Sequence, residues 1–337
     1  MNTDEKFNLI KRNTAEIISE EELKNLLSAK KNPKVYWGRA TTGPLHMGHT
    51  TTLSKLFDMQ KAGVKTVILL ADIHAALDDL KSPWEETEKR VKYTKKAIEL
   101  VLPWEETPEF IVGSSFQLEK KYVMDVLKLS TMTTVSRATR AASEVTRMEN
   151  PKVSELIYPI MQALDEEYLG VDIQLGGLDQ RHIMALAREY LPKLGYKSRI
   201  EIMRPLITSL KGPGVKMSSS IAGSHIKVHD SEEQIKKCIK DAYCPEGDSA
   251  GNPVLELCNY LILPIKGKMK IERAVKFGGD VVFENYAELE RAFKEKKLHP
   301  MDLKNAVSNE LIQIFSKARK YFEAHHDILE ELGTKFL

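Results

Sequence analysis

The chain has 337 residues, long for one compact core and comfortable for two domains. Hydrophobic residues make up 42% and charged residues 29%, which excludes a disordered, collagenous or mucin-like chain. Fifty Lys and Arg against 48 Asp and Glu leave a net charge of +2, so any nucleic-acid surface has to be a local patch. No stretch approaches the roughly 18 apolar residues of a membrane helix. Residues 1–11 are polar, carry both signs of charge and lack the apolar core of a signal peptide. Cys238, Cys244 and Cys258 are odd in number and have no C-x-x-C spacing, so neither a disulfide framework nor a zinc site is expected. These features point to a cytoplasmic protein with no membrane association.

In chain order, Ser19-Glu20-Glu21-Glu22 has capping-box spacing ahead of Leu23, Leu26 and Leu27 and predicts a short amphipathic helix. Pro33 ends that pattern. Residues 35–37 read as a short strand ending at Gly38, and residues 39–44 as a turn. A helix is expected from His49 to about Gln60, with Leu53, Leu56 and Phe57 on one face. Residues 64–72 form a continuous apolar run, as in a parallel strand covered on both faces. A helix at 84–102 and a strand at 110–112 complete a βαβ alternation, the mark of a doubly wound α/β fold.

Residues 118–168 are mostly helical in pattern, 172–175 and 200–203 read as strands, and 181–194 as a helix. Beyond residue 220 the pattern turns helical, at 231–243, 254–263, 286–296 and 301–322. A domain boundary is therefore expected near residue 220.

Two short motifs could carry chemistry. His46-Met47-Gly48-His49 lies between a strand-turn and a helix start. Lys216-Met217-Ser218-Ser219-Ser220 lies in a Gly-flanked loop some 170 residues later. Taken singly, the histidines could be capping or packing residues and the serine run a solvated loop. Taken together, a helix N-terminus with imidazole donors suits phosphate, and Gly48 lets a flat adenine approach the backbone. A loop with one Lys and the hydroxyls of Ser218 and Ser219 could wrap a transferring phosphate. Neither a P-loop nor a dinucleotide G-x-G-x-x-G fingerprint is present.

The pair of motifs resembles the signatures of class I aminoacyl-tRNA synthetases, most closely the tyrosyl-tRNA synthetase family of archaeal and eukaryotic-cytosolic type. Residues 36–38, 41–43, 71–75, 158–162, 176–180 and 299–305 are similar to that family's segments, in the same order. The resemblance covers nearly the whole chain. It implies a Rossmann-like parallel-sheet catalytic domain over 1–220, with a helical dimer and acceptor-stem insertion at about 118–157. It also implies an all-helical anticodon-binding domain over 221–337. Expected partners are L-tyrosine, ATP with Mg²⁺, tRNA(Tyr) and a second copy in a homodimer, with no tightly bound metal.

Residue by residue, the resemblance implies that Tyr36 and Asp165 bond the substrate phenol hydroxyl. Tyr158 and Gln162 would hold the α-ammonium group, with Gln180 completing the tyrosine pocket. Gly38, Thr41, Gly48, Gly177, Asp179 and Met217 would line the ATP site. His46 and His49 would contact phosphates, and Lys216 the leaving pyrophosphate. Arg140 would meet the first acceptor-stem base pair, and Phe277 and Asp302 would stack on and bond the first anticodon base.

The residues alone leave alternatives. Tyr158, Gln162 and Asp165 fall at i, i+4 and i+7, one helical face, which is either a pocket wall or a solvent edge. Arg137, Arg140 and Arg147 could be a solvated face, and Phe277 ordinary core. A tryptophan-specific relative, an inactive RNA-binding homologue and a nucleotidylyltransferase remain competing readings. An unpaired buried carboxylate and phenol would reject phenylalanine by desolvation, so no editing domain is expected. Tyrosyl-tRNA synthetase is itself the established example of that rejection.

Overall fold

The computed structural model describes the chain except residues 79–80, 145–150, 216, 218–220, 222, 335 and 337, and at residue 277 it describes the backbone only. The described chain divides into two compact units. One holds Met1–Gly43, Asp58–Lys95 and Trp104–Leu206; the other holds Pro44–Phe57, Lys96–Pro103 and Ile207–Leu337.

A six-stranded sheet organises the first unit. Its strands are β1 (Glu16–Ile18), β2 (Lys34–Ala40), β3 (Lys65–Ala71), β4 (Glu109–Val112), β5 (Ile173–Gly177) and β6 (Ile200–Arg204). Their spatial order is β1-β6-β5-β2-β3-β4. All neighbours run parallel except β1, which is antiparallel to β6. The apolar run of β3 is buried from Thr66 to Ala71, as expected of a strand covered on both faces. From β2 the chain winds outward through β3 and β4; β5 then pairs on the other side of β2. The strand order therefore reverses between β2 and β5, where open α/β sheets leave a crevice beyond their carboxyl ends.

Among the described residues, the α-helices before β6 are, in chain order, α1 (Thr3–Lys11), α2 (Glu20–Ala29), α3 (Met47–Lys61), α4 (Asp72–Leu77), α5 (Thr87–Val101), α6 (Ser114–Gln117), α7 (Lys120–Met132), α8 (Val135–Ala142), α9 (Val153–Tyr168) and α10 (Arg181–Tyr190). The expected strands and helices of this half are all present. Two elements go beyond them. Helix α1 forms from the mixed-charge N-terminus because Asn2 and Glu5 make a reciprocal capping box and Phe7 and Ile10 are buried one turn apart. Strand β1 has three residues, too few for an alternation to show.

Helix α9 is central to the apolar packing. Ile160, Met161, Ala163 and Leu164 join Tyr122 and Leu129 of α7, Ala141 of α8 and Ile183, Leu186 and Ala187 of α10 in one buried cluster. Truncating one of the large members to Ala would cost about 2–5 kcal/mol. Tyr158 also packs against this cluster, and Asp165 is bonded by its member Tyr122, so the polar face of α9 is anchored to the same core.

The second unit is helical with one small ribbon. Its later elements are α11 (Glu232–Lys240), α12 (Pro253–Leu257), α13 (Leu263–Lys266), β7 (Met269–Ile271), β8 (Val281–Phe283), α14 (Tyr286–Lys294), α15 (Pro300–Ile314), α16 (Ser316–Ala324) and α17 (His326–Glu331). Strands β7 and β8 pair antiparallel, an addition to the all-helical expectation. The helix expected at 254–263 is instead spliced by a π turn at Cys258–Ile262. Pro264 has no N–H for the carbonyl four residues back, so the ladder re-registers there. The helix expected at 301–322 breaks after Ile314, and Phe315 at the break is wholly buried.

Candidate active site

The reversal point of the sheet positions the first group of residues. Tyr36 sits in β2 and is fully buried. Gly38, two residues on, is exposed within the same strand. Thr41 follows β2; its hydroxyl is buried and has no hydrogen-bond partner among the described residues. Arg39 straps this turn from inside, donating to the carbonyls of Ala40 and, at 3.0 Å, Gly43. Burial pulls the Arg39 guanidinium down to about 10.

The carboxyl end of β5 supplies the facing wall. A Cβ on Gly176 would stand 2.6 Å from Met184 Cε and 3.1 Å from Gln180 Cβ, and one on Gly177 would stand 2.2 Å from Asp179 Oδ1. Glycine at both positions lets Asp179 and Gln180 lie close over the strand end without displacing those side chains. Burial raises the Asp179 carboxyl above its usual range. Gln180 Oε1 accepts from Gln162 Nε2 at 3.2 Å, which ties this wall to α9.

Asp165 is the most constrained member of α9's polar face. It is wholly buried, which removes the solvent-edge alternative for this residue. Its Oδ1 accepts from Gln117 Nε2 at 2.7 Å and from Tyr122 OH at 2.8 Å. Its Oδ2 has no hydrogen-bond partner, and neither has His74 Nε2, 3.8 Å away. Burial pushes Asp165 up to about 7 against the opposing bonds from Gln117 and Tyr122. Burial lowers His74 to about 4, so the ring is neutral and packs edge-on against Tyr158 at 4.6 Å. The phenols of Tyr36 and Tyr158 are raised by burial and stay protonated. The structure thus brings Tyr36, Tyr158, Gln162, Asp165 and Gln180 into one unit. Sequence reasoning missed His74, Gln117 and Tyr122, although residues 71–75 had been singled out as a segment.

In the second unit, His46 and His49 flank the start of α3. Their ring centroids are 3.8 Å apart. His46 Nδ1 accepts from Gly48 N at 3.1 Å, and His49 Nδ1 accepts from His46 N at 3.2 Å. Both lone pairs being engaged at Nδ1, the ring proton of each neutral imidazole sits on Nε2 as a donor. His225, which sequence reasoning did not single out, lies 4.8 Å from the His46 ring.

Met217 and the segment that follows the serine run lie against the first motif. Met47 N donates to Ile226 O at 2.9 Å and Val228 N to Leu45 O at 3.0 Å, a bridge between the first motif and the segment just after the serine run. A Cβ on Gly48 would stand 3.1 Å from Met217 Sδ and 3.0 Å from His46 Cε1. The loop is closed at its base, where Leu210 N donates to Ser224 O at 3.0 Å. Lys216, Ser218 and Ser219 lie outside the described residues.

The residues expected to meet RNA are spread over the chain. Arg140 is exposed in the last turn of α8, and Arg137 pairs with Glu189 at 3.0 Å. Arg147 lies outside the described residues. Asp302 stands in the first turn of α15. The backbone of Phe277 closes a 3-10 turn in the segment between β7 and β8. Among the described residues no cluster of three His, Cys, Asp or Glu side chains is placed to hold a metal, and no helix is long and apolar enough to cross a membrane.

Comparisons with known proteins give this geometry a context. Residues 28–316 match the family model of class I tRNA synthetases for tryptophan and tyrosine. A protein named tyrosine–tRNA ligase from Methanococcoides burtonii is 48% identical over 320 residues, spanning 95% of this chain and all of that one. Its counterpart in Archaeoglobus fulgidus is 46% identical over 321 residues, spanning 95% and 98%. A crystal structure of the Archaeoglobus fulgidus tyrosyl-tRNA synthetase complexed with L-tyrosine superposes with a TM-score of 0.91 at 45% identity, over 95% of this chain and 99% of that one.

Proposed function

The chain belongs to the class I tRNA synthetases for tryptophan and tyrosine, and from that membership we propose that it activates L-tyrosine with ATP and transfers it to tRNA(Tyr). It is an aminoacyl-tRNA ligase. In the first step the tyrosine carboxylate attacks the α-phosphate of ATP, and pyrophosphate leaves with the electrons of the broken P–O bond. In the second, the terminal ribose hydroxyl of the tRNA attacks the adenylate carbonyl and AMP leaves. Neither step needs a covalent enzyme intermediate; position and charge stabilisation carry the rate.

Asp165 carries the tyrosine reading. A buried carboxylate oxygen without a partner, at the foot of a wall that also holds the Tyr36 phenol, suits a ring hydroxyl. A tryptophan side chain offers no such hydroxyl. Tyr158, Gln162 and Gln180 take the α-ammonium end. Gly38, Thr41, Gly177 and Asp179 take the adenosine, with Gly48 and Met217 against its base. His46 and His49 donate from Nε2 to phosphate oxygens. Lys216, Ser218 and Ser219 neutralise the pyrophosphate as it departs, and Mg²⁺ enters bound to ATP.

In chain order, residues 1–220 are the catalytic domain and 221–337 the anticodon-binding domain. Arg140 contacts the acceptor stem; Phe277 and Asp302 contact the anticodon. The exposed apolar side chains of Val123, Met124 and Leu127 on α7, with Val135 on α8, support a homodimer through the 118–157 insertion. The enzyme serves translation in the cytoplasm. ATP–pyrophosphate exchange tests the reading: tyrosine should support it and tryptophan should not, and exchange driven by tryptophan would overturn it.

A further inference from the structure

Three of the six strands each carry one polar side chain in an apolar run, and the three stand side by side. Tyr36 of β2 is the register partner of Gln174 in β5, and Gln174 that of Glu201 in β6. Register partners in a sheet present their side chains to the same face. Glu166 reaches the row from α9. All four residues are buried.

The hydrogen bonds fix one orientation for the middle residue. With its amide nitrogen toward the carboxyls, Gln174 donates to Glu166 Oε1 at 2.6 Å and to Glu201 Oε2 at 3.1 Å. Its amide oxygen then accepts from Tyr36 OH at 2.9 Å and from Gln162 Nε2 at 3.1 Å. The reverse orientation would set its oxygen against carboxylate oxygens. Tyr36 OH also lies 3.4 Å from the Gln162 carbonyl, another acceptor.

We propose that Gln174, held by Glu166 and Glu201, is a positioning residue for specificity. It keeps the Tyr36 hydroxyl hydrogen turned into the protein, so that the phenol-binding wall presents acceptors alone and selects an amino acid whose ring carries a donor. The lone pairs of Tyr36 and Asp165 Oδ2 then both face the ligand, and its single hydroxyl hydrogen is donated to the stronger acceptor, the carboxylate oxygen of Asp165. The two carboxyls are within hydrogen-bonding reach of each other, and Glu166 Oε2 and Glu201 Oε1 have no other partner. Burial raises both carboxyls, so the pair holds at least one proton at neutral pH, and that proton can bridge them. This proposal rests on tyrosine being the substrate and deepens that reading.

The test compares kcat/KM in ATP–pyrophosphate exchange for tyrosine and 4-fluoro-L-phenylalanine, which matches the phenol in size but cannot donate. The wild type should prefer tyrosine by more than about a hundredfold. In Gln174→Met the Tyr36 hydroxyl keeps the long 3.4 Å bond to the Gln162 carbonyl but loses its shorter acceptor, so it turns outward more readily and the preference should fall by about tenfold. Glu201→Gln keeps a donor between the two side chains, and its preference should stay within about threefold of wild type. If Gln174→Met does not fold, Gln174→Asn withdraws the amide by one methylene and should lose the preference likewise. An undiminished preference in the Gln174 variants, or a loss in Glu201→Gln as large as theirs, overturns the proposal while leaving tyrosine activation intact. A wild type that activates no tyrosine overturns the functional reading and this proposal with it.

Discussion

Asp165 Oδ2 and His74 Nε2 face each other at 3.8 Å, both buried and neither with a hydrogen-bond partner. A buried polar atom left without a hydrogen bond costs about 1–3 kcal/mol. A ligand hydroxyl that bonds the carboxylate oxygen recovers part of that energy, and an apolar ring of the same shape does not.

Replacing Asp165 should therefore strike tyrosine alone. Asp165→Asn keeps the volume and removes the charge; kcat/KM for tyrosine should fall by about 10²–10³ while KM for ATP stays within about twofold. Exchange kinetics with each substrate varied in turn check this. Equal losses toward both substrates would show that Asp165 supports the fold rather than the pocket.

Acidity should act on the same group. Asp165 titrates at about 7, raised by burial, and is surrounded by Tyr36, His74, Gln117, Tyr122 and Glu166. The ionised form accepts the ligand hydroxyl, so tyrosine affinity should weaken by up to about tenfold per unit as pH drops below 7. Stability runs the opposite way. The native state holds this proton between the ordinary 3.8 and about 7, so folding free energy attributable to Asp165 is fully present below that window and is lost as pH rises through it. Tyrosine titrations from pH 5 to 8 on wild type and Asp165→Asn should differ in slope, with the variant flat; a variant as steep as wild type would assign the titration elsewhere.

The histidine pair should govern turnover. His49→Ala removes one Nε2 donor and the acceptor for His46 N, and should slow adenylate formation by about 10²–10³. Tyrosine binding measured by calorimetry should be unchanged. A large loss of tyrosine affinity would place His49 in the wrong half of the chemistry.

Helix α7 offers the check on assembly. Leu127 is 55% exposed, and Val135, at the start of α8, 70%. Leu127→Glu places a charge on that apolar surface and should shift the species seen by light scattering from dimer to monomer. A monomeric wild type would refute the assignment of this surface.

The alternating strands and helices of the first half were legible because strand periodicity, turn residues and long apolar runs are local properties. The π turn at Cys258 and the break at Phe315 were not, since the uninterrupted apolar pattern at 254–263 and 301–322 says nothing of which turn yields to packing. Tyr36, Gln162 and Asp165 are proposed from motif resemblance and helical spacing, and the structure places all three in the first unit. Gln174 and Glu201 were passed over, although V-Y-W, I-Q-L and I-E-I each set one polar residue inside an apolar strand. Only the register between strands reveals that the three are neighbours. His225 came beside His46 through a bridge of residues some 180 apart, which no local pattern encodes.

The tie between Leu210 and Ser224 has a practical corollary for engineering. Closure entropy grows only slowly with the length of the enclosed chain, about 0.6 kcal/mol per doubling. Residues inserted between 214 and 221, clear of the Gly212–Tyr243 and Pro213–Gly251 packing, should leave the melting temperature nearly unmoved. Such a length series would test the role proposed for Lys216, with turnover and folding read separately on each variant.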